Sequence, residues 1–288
     1  MAWGSVVLTE NPVTNRPKFH LSLPMSRIGN LRVKHRDMGG MWEASFDFLP
    51  DDRVEALSML HACLGRQVQV FDSDGRIDFE GLVSTIEMDT GKARIENSLN
   101  DMGNKVWARY TALGGTTVSR STVYQNSPSQ SLYGIKEVVL SAGEVASTAA
   151  NQFASNYLNR IYAPTPQLSQ IDTGGTALSK PALRLRCIGY IRALEWRTYN
   201  QTALTGSTNA ETVIAAIVTA CGQFVSSTKY DPNNTQVTRE YDQDRKALDI
   251  IESIVSLGDA NGYSWVYGME AGRTFYYRAA SPPVRPAS

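Results

Sequence analysis

The sequence is short of reactive side chains: 288 residues carry three cysteines and three histidines. Cys63, Cys187 and Cys221 are far apart and form no CxxC pair. That spacing argues against a disulfide framework and against a zinc site of closely spaced ligands. Net charge is missing too, because 28 Lys and Arg balance 28 Asp and Glu. A chain without net charge exerts no long-range pull on DNA, RNA or an anionic membrane, and it is prone to associate. No run approaches the ~20 apolar residues of a membrane span. Met1–Glu10 lacks a basic start and a long apolar stretch, so no secretory signal is expected. The expectation is a soluble protein made in a reducing cytosol. A hydrophobic content of 42% excludes disorder as a whole-chain state, and the length allows one large domain or two to three small ones.

What is present is mostly the pattern of half-buried strands. Phe19–Leu23 and Leu31–His35 alternate apolar with polar residues, and Trp42, Ala44, Phe46 and Phe48 share one face of a third strand. Asp52 can cap a helix over Val54–Leu64, with Val54, Leu57, Met59, Leu60 and Leu64 as its apolar set and Gly65 beyond its end. Val68–Phe71 and Ile77–Val83 flank the turn signal Asp72-Ser-Asp-Gly75 as a hairpin, and Thr85–Met88 with Ala93–Asn97 form another. Residues 111–130 are polar. Ala142–Tyr162 reads as a helix through Val145, Ala149, Phe153, Tyr157, Leu158 and Ile161, ended by Pro164 and Pro166. Leu183–Ile191 alternates Arg with apolar residues as a strand with one basic face, continued by Leu194–Tyr199. Ala210–Val218 reads as a buried helix, Asp244–Leu257 as a second helix with Leu248, Ile251, Ile254 and Val255 apolar, and Tyr263–Gly268 with Arg273–Tyr277 as a hairpin. One order occurs twice: helix, Gly65, strand, turn, strand, and later helix, Gly258, strand, turn, strand. It suggests two related modules joined by a middle insert.

No pattern of chemistry stands out from this background. Asp72, Asp74 and Asp78 sit at calcium-loop spacing, but the sixth-position Gly and the late Glu are missing, and an Asp/Gly hairpin turn explains them. There is no Gly-x-Ser-x-Gly elbow and no phosphate-binding glycine loop. His61 and Cys63 are two apart on a helix, so they face different ways. Catalytic residues, metal ligands and cofactors are therefore not expected. The candidate site is an interface. Arg184, Arg186, Arg192 and Arg197, interleaved with Tyr190, Trp196 and Tyr199, make a basic and aromatic stretch whose one acid is Glu195. Such a face can meet an acidic partner, a phosphate backbone or a neighbouring subunit; Arg184, Arg186, Arg192, Trp196 and Arg197 are the residues chosen. The aromatic hairpin of Tyr263, Trp265, Tyr267, Phe275, Tyr276 and Tyr277 supports an alternative, a carbohydrate-binding or glycan-degrading module.

Several phrases resemble the hub proteins of tailed bacteriophages. They are Gly39-Gly-Met-Trp-Glu-Ala-Ser-Phe-Asp-Phe48, Leu64-Gly-Arg-Gln-Val-Gln-Val-Phe-Asp72, Phe79-Glu-Gly-Leu-Val83 and Ile95-Glu-Asn-Ser-Leu-Asn-Asp-Met-Gly-Asn-Lys-Val106. Ser131-Leu-Tyr-Gly-Ile-Lys-Glu137, the stretch Asp244–Val255 and Tyr263-Ser-Trp-Val266 are similar to that family as well. The resemblance implies an α+β, β-rich chain. It implies two tube-like β-barrel modules, each with a packed helix, at 1–110 and 181–288, joined by a connector with a helical insert at 111–180. The Pro-rich end from Ala279 to Ser288 reads as a short tail. The family implies a non-enzymatic structural part of the virion tail, usually a homotrimer with pseudo-six-fold symmetry. Its partners would be the tail tube, distal tail proteins and a spike or tip protein, with DNA only passing through the lumen.

Overall fold

Trp42, Ala44, Phe46 and Phe48 are all buried, as their alternation predicts, in the computed structural model, which describes residues 3–13, 17–178, 180–199, 207–238 and 244–280. The tail at 281–288 lies outside the described residues. The chain is α+β and strand-rich. It divides into two compact units, residues 1–34 with 43–189 and residues 35–42 with 190–288.

The first unit opens with β1 (Trp3–Thr9), β2 (His20–Leu23), β3 (Ile28–Arg36) and β4 (Gly39–Phe48). The turn end of the β3–β4 hairpin belongs to the second unit. Asp52 caps α1 (Arg53–Ala62) by accepting from the Glu55 N–H at 2.8 Å. Then come β5 (Gln67–Asp72), β6 (Ile77–Asp89) and β7 (Ala93–Ser98). The next stretch holds β8 (Lys105–Thr111), β9 (Val118–Arg120), β10 (Tyr124–Gln125), α2 (Ser127–Tyr133), β11 (Glu137–Glu144) and α3 (Ser147–Ile161). β12 (Gln167–Ile171) and β13 (Ala182–Gly189) complete the unit.

β13 lies between β4 and β6, antiparallel to both. Its buried Leu183, Leu185 and Cys187 oppose Phe48, Phe46 and Ala44 on one side and Met88, Ile86 and Val83 on the other. The opening strand of the sequence-predicted second module is thus a central strand of the first unit. β6 carries β13 on one edge, and β5 and then β7 on the other. The pairing order is β3-β4-β13-β6-β5-β1-β2, while β12 adds to β7. β2 and β3 stand at opposite ends of that order, yet only Pro24–Arg27 separates them in the chain. Four residues span at most ~14 Å, so the sheet must curl back on itself. No hydrogen-bonded closure joins β2 to β3 among the described residues, so the sheet is an open one.

Residues 105–161 build a smaller sheet within the same unit. β8 pairs in parallel with β11 and antiparallel with β9 and β10, and α3 packs on it through Ala154 and Leu158 against Val106 and Ala108. The helix predicted from Ala142 begins instead at Ser147, because β11 runs to Glu144. The buried face of α3 is accordingly Ala150, Ala154 and Leu158, and Phe153 is exposed. Asn104, fully buried, ties the corner by donating to the Gly134 carbonyl at 2.8 Å and accepting from the Lys136 N–H at 2.8 Å.

The second unit contains β14 (Ser207–Asn209), α4 (Ala210–Cys221), β15 (Ser227–Tyr230), β16 (Gln236–Thr238), α5 (Ala247–Val255), β17 (Trp265–Glu270) and β18 (Thr274–Ala279). Leu248, Ile251, Ile254 and Val255 of α5 are buried, as the periodicity predicts. β17 and β18 form an antiparallel hairpin, β15 adds in parallel to β18, and β17 meets Gly39 and Gly40 of β4. The repeated order is observed. α1, Gly65 and the β5–β6 hairpin lie in the first unit, and α5, Gly258 and the β17–β18 hairpin in the second. Both glycines take the left-handed conformation that ends a helix, at φ 74° and 69°.

Gly81 of β6 leaves no room for a side chain against β13. A Cβ placed there would lie 2.1 Å from the Ile188 carbonyl oxygen, a backbone atom of a central strand. Gly81→Ala is expected to destabilise the first unit by about 1–3 kcal/mol through overpacking, read as a lowered midpoint of denaturant unfolding.

Candidate functional site

The alternation of β13 sends Arg184 and Arg186 to the exposed face of the first unit's sheet, opposite the buried Leu183, Leu185 and Cys187. The neighbouring strands answer that charge. Arg184 stands directly opposite Asp47 of β4 and Glu87 of β6, and its Nε donates to the Asp47 carboxylate at 2.9 Å. Arg186 stands opposite Ser45 and Thr85. Asn30 of β3, at φ 51°, aims its amide at Asp47 and donates at 2.6 Å. The left-handed backbone, which Asn tolerates better than most residues, turns the side chain to this bond. Lys34 pairs with Glu43 at 3.2 Å, and Arg94 with Asp89 at 3.1 Å.

The strand that reads as basic in one dimension is therefore one rung of a mixed-charge ladder. Beside it runs a cleft of about 340 Å³ lined by Arg27, Asn30, Asp47, Glu87, Arg94 and Arg184. Partial burial pushes the Asp47 carboxyl upward, but bonds from Arg184 and Asn30, with the charges of Arg184 and Arg32, outweigh it and hold the group below the ordinary carboxylate range. Arg184 is raised in turn, chiefly by its hydrogen bond to Asp47.

The other three interface candidates belong to the second unit. Leu194–Tyr199 does not continue the strand: the chain leaves β13 into 3-10 turns over Tyr190–Trp196. Arg192 lies over the Trp42 ring at 5.4 Å and pairs with Glu195 at 3.4 Å. Trp196 is buried, edge-on to Phe224 at 6.0 Å. Arg197 donates to the Ala220 carbonyl at 3.3 Å. The five residues do not form a single strand face. Arg184 and Arg186 remain surface groups, while Trp196 serves packing within its own unit.

The remaining candidates resolve into structure. Asp72 accepts from the N–H groups of Asp74 and Arg76, each at 2.9 Å, so its carboxylate shapes the hairpin turn. Among the described residues no group of three or more His, Cys, Asp or Glu is placed to hold a metal. Cys63 is buried, and burial pushes the Cys187 thiol well above its usual range. Trp265, Tyr267, Phe275, Tyr276 and Tyr277 are buried, and of the aromatic hairpin only Tyr263 is exposed. A sugar-stacking platform needs exposed ring faces, which this hairpin turns inward. The Tyr267 hydroxyl donates to Glu252 at 2.9 Å, and Asn233 donates to the Tyr277 hydroxyl at 2.6 Å. Sequence reading missed the acids that answer Arg184. The available signal was the parity of Glu43 with Asp47 and of Glu87 with Asp89, each on the polar side of an alternating strand.

A carboxyl held low in the folded state stabilises above its unfolded titration range, and that contribution is lost as pH falls through the folded value. Asp47→Asn is expected to cost about 0.2–1 kcal/mol near neutral pH, since Arg184 is half exposed. The gap to the unsubstituted protein should close as pH drops through the acid range. Denaturant midpoints measured along a pH series check both the size and the sign.

Comparison with family models, with curated proteins and with solved structures returns no match.

Proposed function

We propose that this chain is a structural hub protein at the distal end of a tailed-phage tail tube. It forms a ring that joins the tube to the tip or spike and leaves a channel for DNA. The observation that carries the reading is the double occurrence of one element order, once in each compact unit. A helix ends in a left-handed glycine and leads into an antiparallel hairpin, through Gly65 and through Gly258. Three such chains supply six similar modules, which is the way a trimer can match a six-fold tube.

The finer reading, two tube-like barrel modules, is supported in the first unit by the curl that Pro24–Arg27 imposes on the ends of the sheet. In the second it is supported by the hairpin with its added parallel strand. The exposed mixed-charge ladder suits a part that fits against other proteins, because alternating charge gives register and specificity more than raw affinity. Among the described residues no helix is long and apolar enough to cross a membrane. Self-association, tail proteins as partners, a place in the virion tail and the absence of catalysis all belong to this reading.

Native mass measurement of the purified chain, alone and with a tube protein, tests it. A trimer, or a ring with three-fold symmetry in negative-stain images, is expected. A monomer at all concentrations that also ignores tube protein would overturn the assignment.

A further inference from the structure

Where β1 ends and β2 begins, the first unit holds a cavity of about 530 Å³. Its polar wall is Thr9, Glu10, Lys18, His20 and Gln67, and Phe19 adds an aromatic ring. Clefts of roughly 300–1,000 Å³ are the size that takes a small molecule. Strand register builds the wall. Thr9 of β1 stands opposite His20 of β2 on one side and Gln67 of β5 on the other. Directly paired residues share a face, so the three make one polar row across three strands, about 10 Å long at two strand spacings.

The wall is held rigidly. Gln67 is only 8% exposed, yet it lines the cavity. Its amide donates to the buried Glu80, and its carbonyl accepts from the Thr9 hydroxyl at 3.4 Å. Phe19 is fixed as well. Its carbonyl accepts from the Glu10 N–H at 3.1 Å, and its own N–H donates to the Glu10 carboxylate at 3.2 Å. The buried Arg66 lies over the Phe19 ring at 4.5 Å and is itself anchored on the carbonyls of Ala62 and Pro17. A site whose side chains are already placed loses little entropy when it binds.

The lining offers every kind of polar partner. Glu10 accepts only: the backbone N–H groups of Glu10 itself and of Phe19 hold its carboxyl below the ordinary carboxylate range, with Lys18 and Arg66 adding to the effect. Lys18 donates only, while Gln67 and the Thr9 hydroxyl do both. Among the described residues no hydrogen bond occupies the Lys18 ammonium or the His20 ring. These demands select a ligand. A phosphate, which only accepts, would be set against Glu10, and an ammonium, which only donates, against Lys18. A hydroxyl donates and accepts, so a polyol can satisfy all of these groups. The charges of Glu10 and Lys18 cancel, which favours a neutral molecule, and the Phe19 ring offers apolar contact to the C–H face of a sugar.

We propose that this cavity binds a neutral saccharide, with Phe19 against a C–H face of the ring and Glu10, Lys18, His20 and Gln67 on its hydroxyls. The site is distinct from the aromatic hairpin of β17 and β18, whose rings are buried. It does not depend on the hub reading.

Saturation-transfer-difference NMR on the full chain tests it, with the methyl glycosides of glucose, galactose and N-acetylglucosamine as probes. At least one is expected to bind with a Kd of about 1 mM or tighter. Phe19→Ala, and separately Lys18→Ala with His20→Ala in one chain, should each weaken that binding about tenfold or more. Circular dichroism and the melting temperature monitor the fold of each variant. Lys18 and His20 are exposed, so the double variant decides the matter if Phe19→Ala does not fold. No binding of any of the three probes, or binding that the double variant leaves unchanged, overturns the site. Displacement of the bound sugar by inorganic phosphate or by free glycine overturns the ligand class. A chain that binds sugar here but stays monomeric and ignores tube protein keeps this inference and sinks the hub reading, and one that assembles without binding sugar does the reverse.

Discussion

The first unit depends on a strand delivered from far along the chain. β13 fills the space between β4 and β6, and the whole run from α1 to β12 lies between β4 and β13 in sequence. Without β13, both neighbours would present unpaired N–H and C=O groups beside an apolar layer, and each buried group left unmade costs about 1–3 kcal/mol. Leu183, Leu185 and Cys187 also complete the rows that begin at Phe48, Phe46 and Ala44. The entropy of closing so long an excursion grows only slowly with its length, so the arrangement is thermodynamically ordinary. The segment within the excursion contributes its own packing, with α3 seated on β8 around Val106, Ala108, Ala154 and Leu158.

The same placement of β13 decides the character of the surface. Along the chain, Arg184 to Arg197 is a basic run with Glu195 as its one acid. In the sheet, Arg184 lies between Asp47 and Glu87, and the run then leaves the strand for the second unit. A local excess of one sign thus becomes a ladder of both. Cross-strand neighbours set the field at such a face, and they come from parts of the chain that no local window contains. The facing acids Glu87 and Glu96 are found by register and not by composition.

Apolar residues show a similar division. The alternation in β4 and the periodicity of α5 were legible because one face of each is buried along its length. α1 was legible as a helix from its Asp52 cap, but not in its orientation. Apolar residues surround it, and the core takes Ala56, Met59 and Leu60 while Val54 remains 75% exposed. α3 was displaced for a related reason. Val138 to Ala142 serve β11, so the helical face slips by one position from Ala149 and Phe153 to Ala150 and Ala154. The hairpin aromatics, readable as a binding platform or as packing, are packing, with the ring centroids of Trp265 and Tyr277 4.8 Å apart.

By itself the sequence determined the local elements whose causes are local. These are the capped α1, the left-handed Gly65 and Gly258, the turn built on Asp72 and the alternating strands around Phe46 and Leu185. It determined the recurring helix-to-hairpin order for the same reason. Scarce Cys and His, with balanced charge, narrowed the chemistry before any fold was known. Only the tertiary structure decided where β13 goes, which acids neutralise Arg184, and which edges of the sheet stay open. Those outcomes depend on strand order and register, and hydrogen-bonded ladders tolerate many partners of similar pattern. The choice among them is made by how all the apolar rows close at once.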